Sequence, residues 1–91
     1  MSYNPSALMS AYNEVKQRGR RAGLWTSERV DRALGYLMDG QAVEKWAEYT
    51  TTTERCDCPD SEFRREVCKH SLALMIDLKH NELMAEFRRV N

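Results

Sequence analysis

No apolar run in this chain is long enough to cross a bilayer, which takes about 20 residues, so no membrane span is expected. The start, Met1-Ser-Tyr-Asn-Pro5, lacks the basic opening and apolar stretch of a secretion signal, and an intracellular, cytoplasmic location is expected. Charge of one sign is also missing: 14 Lys and Arg stand against 14 Asp and Glu, so total charge alone cannot argue for a nucleic-acid partner. The sequence has no internal repeats, no low-complexity tract, no glycine-rich phosphate loop and no carboxylate cluster of a nuclease. With 91 residues there is room for one small domain. A domain of this size buries a limited share of its surface and gains much from any added crosslink.

Cysteine is scarce but concentrated. All three cysteines lie with a histidine in one short stretch, as Cys56-Asp-Cys58 and, after nine further residues, Cys68-Lys-His70. Thiolate sulfur and imidazole nitrogen are the ligands that a tetrahedral zinc ion takes, and four of them close its coordination sphere. With one residue between the members of each pair, an extended strand or tight turn brings both side chains to one side of the backbone. Cys68 and His70 cannot share a face of a regular helix, since two residues place them about 200° apart. A helix beginning at this point resolves that, with Cys68 just outside and His70 in the first turn. Pro59 has no backbone N–H and suits an exit from strand to loop.

Other readings of the cluster explain less. A disulfide framework leaves one of three cysteines unpaired, and reduced thiols are the rule inside cells. A Cys–His catalytic dyad leaves two cysteines without a role. Chance clustering of buried cysteines does not account for the spacing. His80 lies about 15 Å further along a continuous helix, too far to share the ion, and is expected to be an exposed helix residue.

The flanking segments suggest helices. Asn4 can cap, and Pro5 start, a helix with Leu8, Ala11, Tyr12 and Val15 on one face, ending near Gly19. After a turn at Gly23, Thr26 or Ser27 can cap a second helix. Glu28 suits its positive end, Val30, Ala33, Leu34, Leu37 and Met38 form its stripe, and Gly40 its left-handed end. In residues 41–54, Val43, Trp46 and Ala47 allow a helix, while Trp46 and the run from Tyr49 to Thr53 favour strand. A small β-hairpin or ribbon leading into Cys56 is expected. Residues 60–67 form a polar loop. Leu72, Met75, Ile76, Leu78, Leu83 and Phe87 suit a long C-terminal helix interrupted near Asn81.

The string Cys56-Asp-Cys58-Pro59-Asp60, followed by Cys68-Lys69-His70-Ser-Leu-Ala-Leu74, resembles the SWIM-type zinc finger: C-x-C, a variable loop, then C-x-H, with proline and aspartate after the second cysteine and lysine before the histidine. The resemblance covers roughly residues 42–80. It implies one structural zinc ion held by Cys56, Cys58, Cys68 and His70 in a ββα arrangement, and binding to DNA or to protein without choosing between them. The expected fold is α+β: one small domain with two N-terminal helices, a zinc-bound ββα finger and a long C-terminal helix. Residues 1–40 are the helical extension, and 41–91 the finger with its helix.

Local charge supplies the argument for nucleic acid, DNA ahead of RNA. Lys16, Arg18, Arg20 and Arg21 form a run without an acid, and Arg64, Arg65 and Lys69 flank the zinc loop. Trp25 and Tyr49 are candidates to stack on bases, against the simpler role of Trp25 as a core anchor. The rival is a protein-interaction module using an apolar face with Met9, Tyr12, Met38 and Met84, residues that would serve equally in the core or in a homodimer seam. An enzyme is not expected, because four protein ligands leave zinc no open position and the His-x-Glu with Pro-Cys-x-x-Cys pattern of zinc deaminases is absent.

Overall fold

A computed structural model describes residues 3–42, 46, 51–53, 56 and 67–90, the last three without their side chains. Among these residues there are three helices, α1 (Pro5–Ala22), α2 (Ser27–Met38) and α3 (Lys69–Val90), and no strand. The expected α+β fold with a ββα finger is therefore corrected to a small all-helical domain. Gln41, Ala42 and Trp46 are helical where a ribbon was expected, and the only strand-like pairing among the described residues is an isolated antiparallel bridge between Thr51 and Cys56. The physical reason is tertiary packing: Ala42 is fully buried and Trp46 packs against the core formed by the helices. Local β propensity is weak beside such packing. Val43, Ala47, Tyr49 and the loop 60–66 lie outside the described residues.

Local chemistry sets the helix ends. Asn4 is extended, and its Oδ1 accepts from the Ala7 N–H at 3.1 Å, while Pro5 occupies the first turn. α1 runs one turn past Gly19 and closes at Gly23, whose φ of 65° is the left-handed conformation that suits glycine. Thr26 Oγ1 caps α2 by accepting from the Arg29 N–H at 3.3 Å. α3 is continuous through Asn81, so the expected interruption there is absent.

One core joins the three helices. Leu8, Ala11 and Val15 of α1, Val30, Ala33 and Leu37 of α2, and Leu72, Ala73 and Ile76 of α3 are buried together with Ala42. The alanines allow the helices to approach closely, and α3 packs against both of the others. Met38, expected on the apolar stripe of α2, is 65% exposed instead. No described helix is long and apolar enough to cross a membrane.

A chain of polar contacts fastens the start of α1 to α3. The Asn4 N–H donates to His80 Nε2 at 3.0 Å, which leaves the ring proton on Nδ1 to meet Asn81 Oδ1 at 3.1 Å. Asn81 Nδ2 reaches Asp77 Oδ2 at 3.5 Å, and the Tyr3 hydroxyl donates to Asp77 Oδ1 at 2.8 Å. Burial first, and the Asp77 carboxylate second, push the Tyr3 phenol well above its usual range, so it remains a donor. His80 is buried at 5% exposure, contrary to the exposed position expected for it. Its place between Tyr3 and the N-cap of α1 is a long-range contact that helical spacing alone does not reveal.

Trp25 locks the α1–α2 turn. Its Nε1–H donates to the Val15 carbonyl at 3.0 Å, and its indole lies so close to Gly19 that a Cβ there would come within 2.1 Å of Nε1. Gly35 has nothing within 4 Å of the corresponding position. Alanine at a helical glycine ordinarily gains up to about 1 kcal/mol. Gly35→Ala should therefore raise the melting temperature, while Gly19→Ala should destabilise by about 1–3 kcal/mol because the indole must shift. Thermal unfolding of the two variants checks this, and stabilisation by both would contradict the Trp25 packing.

Candidate metal centre

The first turn of α3 supplies two of the candidate ligands. Cys68 lies immediately before the helix, its carbonyl accepting the first helical bond from the Leu72 N–H at 3.1 Å, and His70 is the second helical residue. A helix that starts between the two ligands lets both side chains turn toward one point. Cys56 arrives from the other side, carried by its bridge to Thr51. Candidate ligand atoms of Cys56, Cys68 and His70 all lie within 4.8 Å of one another, and the three residues are 2%, 2% and 6% exposed. Cys58 lies outside the described residues.

This donor set fits a tetrahedral ion. With zinc–sulfur bonds of about 2.3 Å and zinc–nitrogen bonds of about 2.0 Å, neighbouring sulfur and nitrogen ligands stand about 3.5 Å apart. Cys56 Sγ and His70 Nδ1 are 3.7 Å apart. The facing ring atom is therefore Nδ1. Cys56 and Cys68 are free thiols with no disulfide between them. Two buried cysteine sulfurs beside an imidazole are the soft donors that zinc takes.

Surrounding residues hold the ligands in place. The Trp46 Nε1–H donates to the His70 carbonyl at 3.0 Å, and the Tyr36 ring packs against the imidazole with centroids 5.4 Å apart. An Arg29 N–H donates to the Val67 carbonyl at 3.1 Å, tying α2 to the residue before Cys68. Thr51 Oγ1 is 3.2 Å from Cys56 Sγ, and the buried Ser71 Oγ lies 3.9 Å from Cys68 Sγ. None of these supporting roles was anticipated from sequence. For Trp46 the signal was present, four residues after Ala42 on one helical face. For Tyr36 and Arg29 there was none, since their roles depend on how α2 packs against α3.

Among the described residues, those expected to contact nucleic acid differ in their surroundings. Lys16 is bound to its neighbours: its ammonium donates to the Tyr12 hydroxyl at 2.7 Å and pairs with Asp31 at 3.3 Å. The Tyr12 hydroxyl in turn donates to Asp31. The Tyr12 oxygen first, and Asp31 second, hold Lys16 above the usual ammonium value, while Asp31 is held below the usual carboxylate range first by Tyr12. Lys69 is half-buried with its ammonium 4.6 Å from the centre of the Tyr36 ring. Arg18, Arg20 and Arg21 are exposed at the end of α1, and Arg64 and Arg65 lie outside the described residues. Trp25 is a half-buried anchor, and Tyr12 is committed to Asp31.

Residues 51–79 match the family model of the SWIM zinc finger. The matched segment runs from Thr51 through Cys56, Cys68 and His70 into the middle of α3, and in this stretch the chain is similar to a zinc-binding module. No curated protein and no solved structure matched the chain.

Adding Co²⁺ to metal-stripped protein should produce the visible bands of tetrahedral thiolate coordination. Cys56→Ser and Cys68→Ser should each weaken and shift the sulfur-to-metal charge-transfer absorption. An octahedral, colourless spectrum, or bands unchanged in both variants, would remove these cysteines from the site.

Proposed function

We propose that this chain is a small zinc-stabilised module that binds nucleic acid, DNA ahead of RNA, as an accessory or regulatory protein. One zinc ion held by Cys56, Cys58, Cys68 and His70 has a structural role, fixing the segment at Cys56 to the start of α3. Four protein ligands leave no coordination position for water or substrate, so the ion performs no catalysis. Residues 1–40 supply the helical extension with the basic corner, and residues 41–91 the finger and its helix.

The observation that carries the nucleic-acid reading is the corner between α1 and α2. Arg20 and Arg21 are exposed in the last turn of α1. Arg20 lines an open concavity of about 390 Å³ together with Gly23 and Thr26, at the positive end of α2. A guanidinium beside a helix N-terminus suits phosphate oxygens, which accept from both. Lys16 and Lys69 are excluded from this role, because each already has a partner within the chain.

Binding of the zinc-loaded protein to duplex and single-stranded DNA over a salt series tests the reading. Arg20→Ala combined with Arg21→Ala should weaken binding to all sequences alike and lower the slope of log K against log salt by about two. An unchanged slope, or no binding at low salt by folded, zinc-loaded protein, would contradict it.

A further inference from the structure

Beyond the arginine corner, on the other side of the Leu24–Trp25 step, lies a larger open groove of about 530 Å³. We propose that this groove is a docking site for a segment of another protein that presents a large apolar side chain next to a carboxylate.

Three elements meet in the groove. α1 contributes Arg18, the turn contributes Leu24 and Trp25, and α3 contributes Met75 and Leu78, with Val67 reaching in from beside Cys68. Leu24 and Leu78 are 54% and 50% exposed, although both are large and apolar and could gain from being covered. The walls are preorganised. Trp25 is held by its bond to Val15 and by its contact with Gly19, and the backbone of Val67 is held by Arg29. A site fixed before binding loses little freedom when it is occupied.

Charge selects the partner. Lys79 and Glu82 also line the groove, but the Lys79 ammonium is bound to Glu82 at 3.4 Å and to Glu14 at 3.3 Å. Arg18 makes no ion pair with any described residue. The groove therefore offers apolar walls and one unspent cation at its edge, which complements an apolar anchor flanked by Asp or Glu. The phosphate backbone of a nucleic acid has no apolar group for these walls. The proposal does not depend on DNA binding, because neither Arg20 nor Arg21, the arginines proposed for phosphate, lines this groove.

The test uses a phage library of random short peptides panned against zinc-loaded protein, followed by anisotropy titration of the enriched peptide. Enrichment of a large apolar residue beside Asp or Glu is expected, with Leu24→Ala and Leu78→Ala each weakening binding about tenfold. Arg18→Glu should weaken the acidic peptide and improve its counterpart carrying Lys in place of the carboxylate. Both leucines are exposed, so unchanged circular dichroism is expected to accompany these losses. The proposal is overturned if no motif is enriched, or if the enriched peptides bind the leucine variants unchanged. It is also overturned if sedimentation shows self-association that Leu78→Ala abolishes, which would make a second copy the occupant. Single-stranded DNA that displaces the peptide and is itself weakened by Leu78→Ala would likewise overturn it.

Discussion

Convergence of Cys56 on Cys68 and His70 is the constraint on which the rest of this structure turns. The three residues are buried with their ligand atoms within 4.8 Å of one another, yet among the described residues the segment at Cys56 has one isolated bridge as its strand-like pairing. An isolated bridge at Thr51 and Cys56 is too little to order a segment against the loss of chain entropy. Coordination of a metal would supply what one bridge does not. Binding energies in small fingers are on the order of 10–16 kcal/mol near neutral pH, comparable with the stability of a whole domain.

The helical frame decides where that constraint acts. α3 contributes Leu72, Ala73 and Ile76 to the common core, and its first turn carries Cys68 and His70, so packing and coordination reinforce the same helix. α2 enters both: Leu37 and Val30 are in the core, while Tyr36 lies against His70 and Arg29 holds Val67. The N-terminal segment is secured at the other end of the assembly, through Tyr3 and Asn4 to Asp77 and His80. The α1–α2 turn, closed by Trp25 on Gly19, places the exposed arginines and the apolar groove on either side of one rigid step.

Much of this was legible in the sequence where the cause is local. The caps at Asn4 and Thr26, the turn at Gly23, the apolar faces of α1 and α2 and the start of α3 between Cys68 and His70 all follow from neighbouring residues. Gln41, Ala42 and Trp46 were misread because tryptophan and the threonines that follow favour strands intrinsically, whereas Ala42 and Trp46 are placed by the core they cover. His80 was misread for a similar reason, its partner being 76 positions away at Asn4. The ligand set was conspicuous because soft ligands are rare and closely spaced. Its supporting residues were not, since Tyr36 and Trp46 acquire their roles only when helices meet. The basic run looked continuous in sequence, but a helix distributes Lys16, Arg18, Arg20 and Arg21 around its circumference and Asp31 captures the first of them.

Amide hydrogen exchange of the same protein with its metal bound and removed tests the central claim most directly. If an ion joins the segment at Cys56 to the beginning of α3, chelation should abolish protection around residue 56 and residues 68–72, while the contacts of α1 with the middle of α3 exchange more slowly. Identical protection at these positions before and after removal of a bound metal would contradict it.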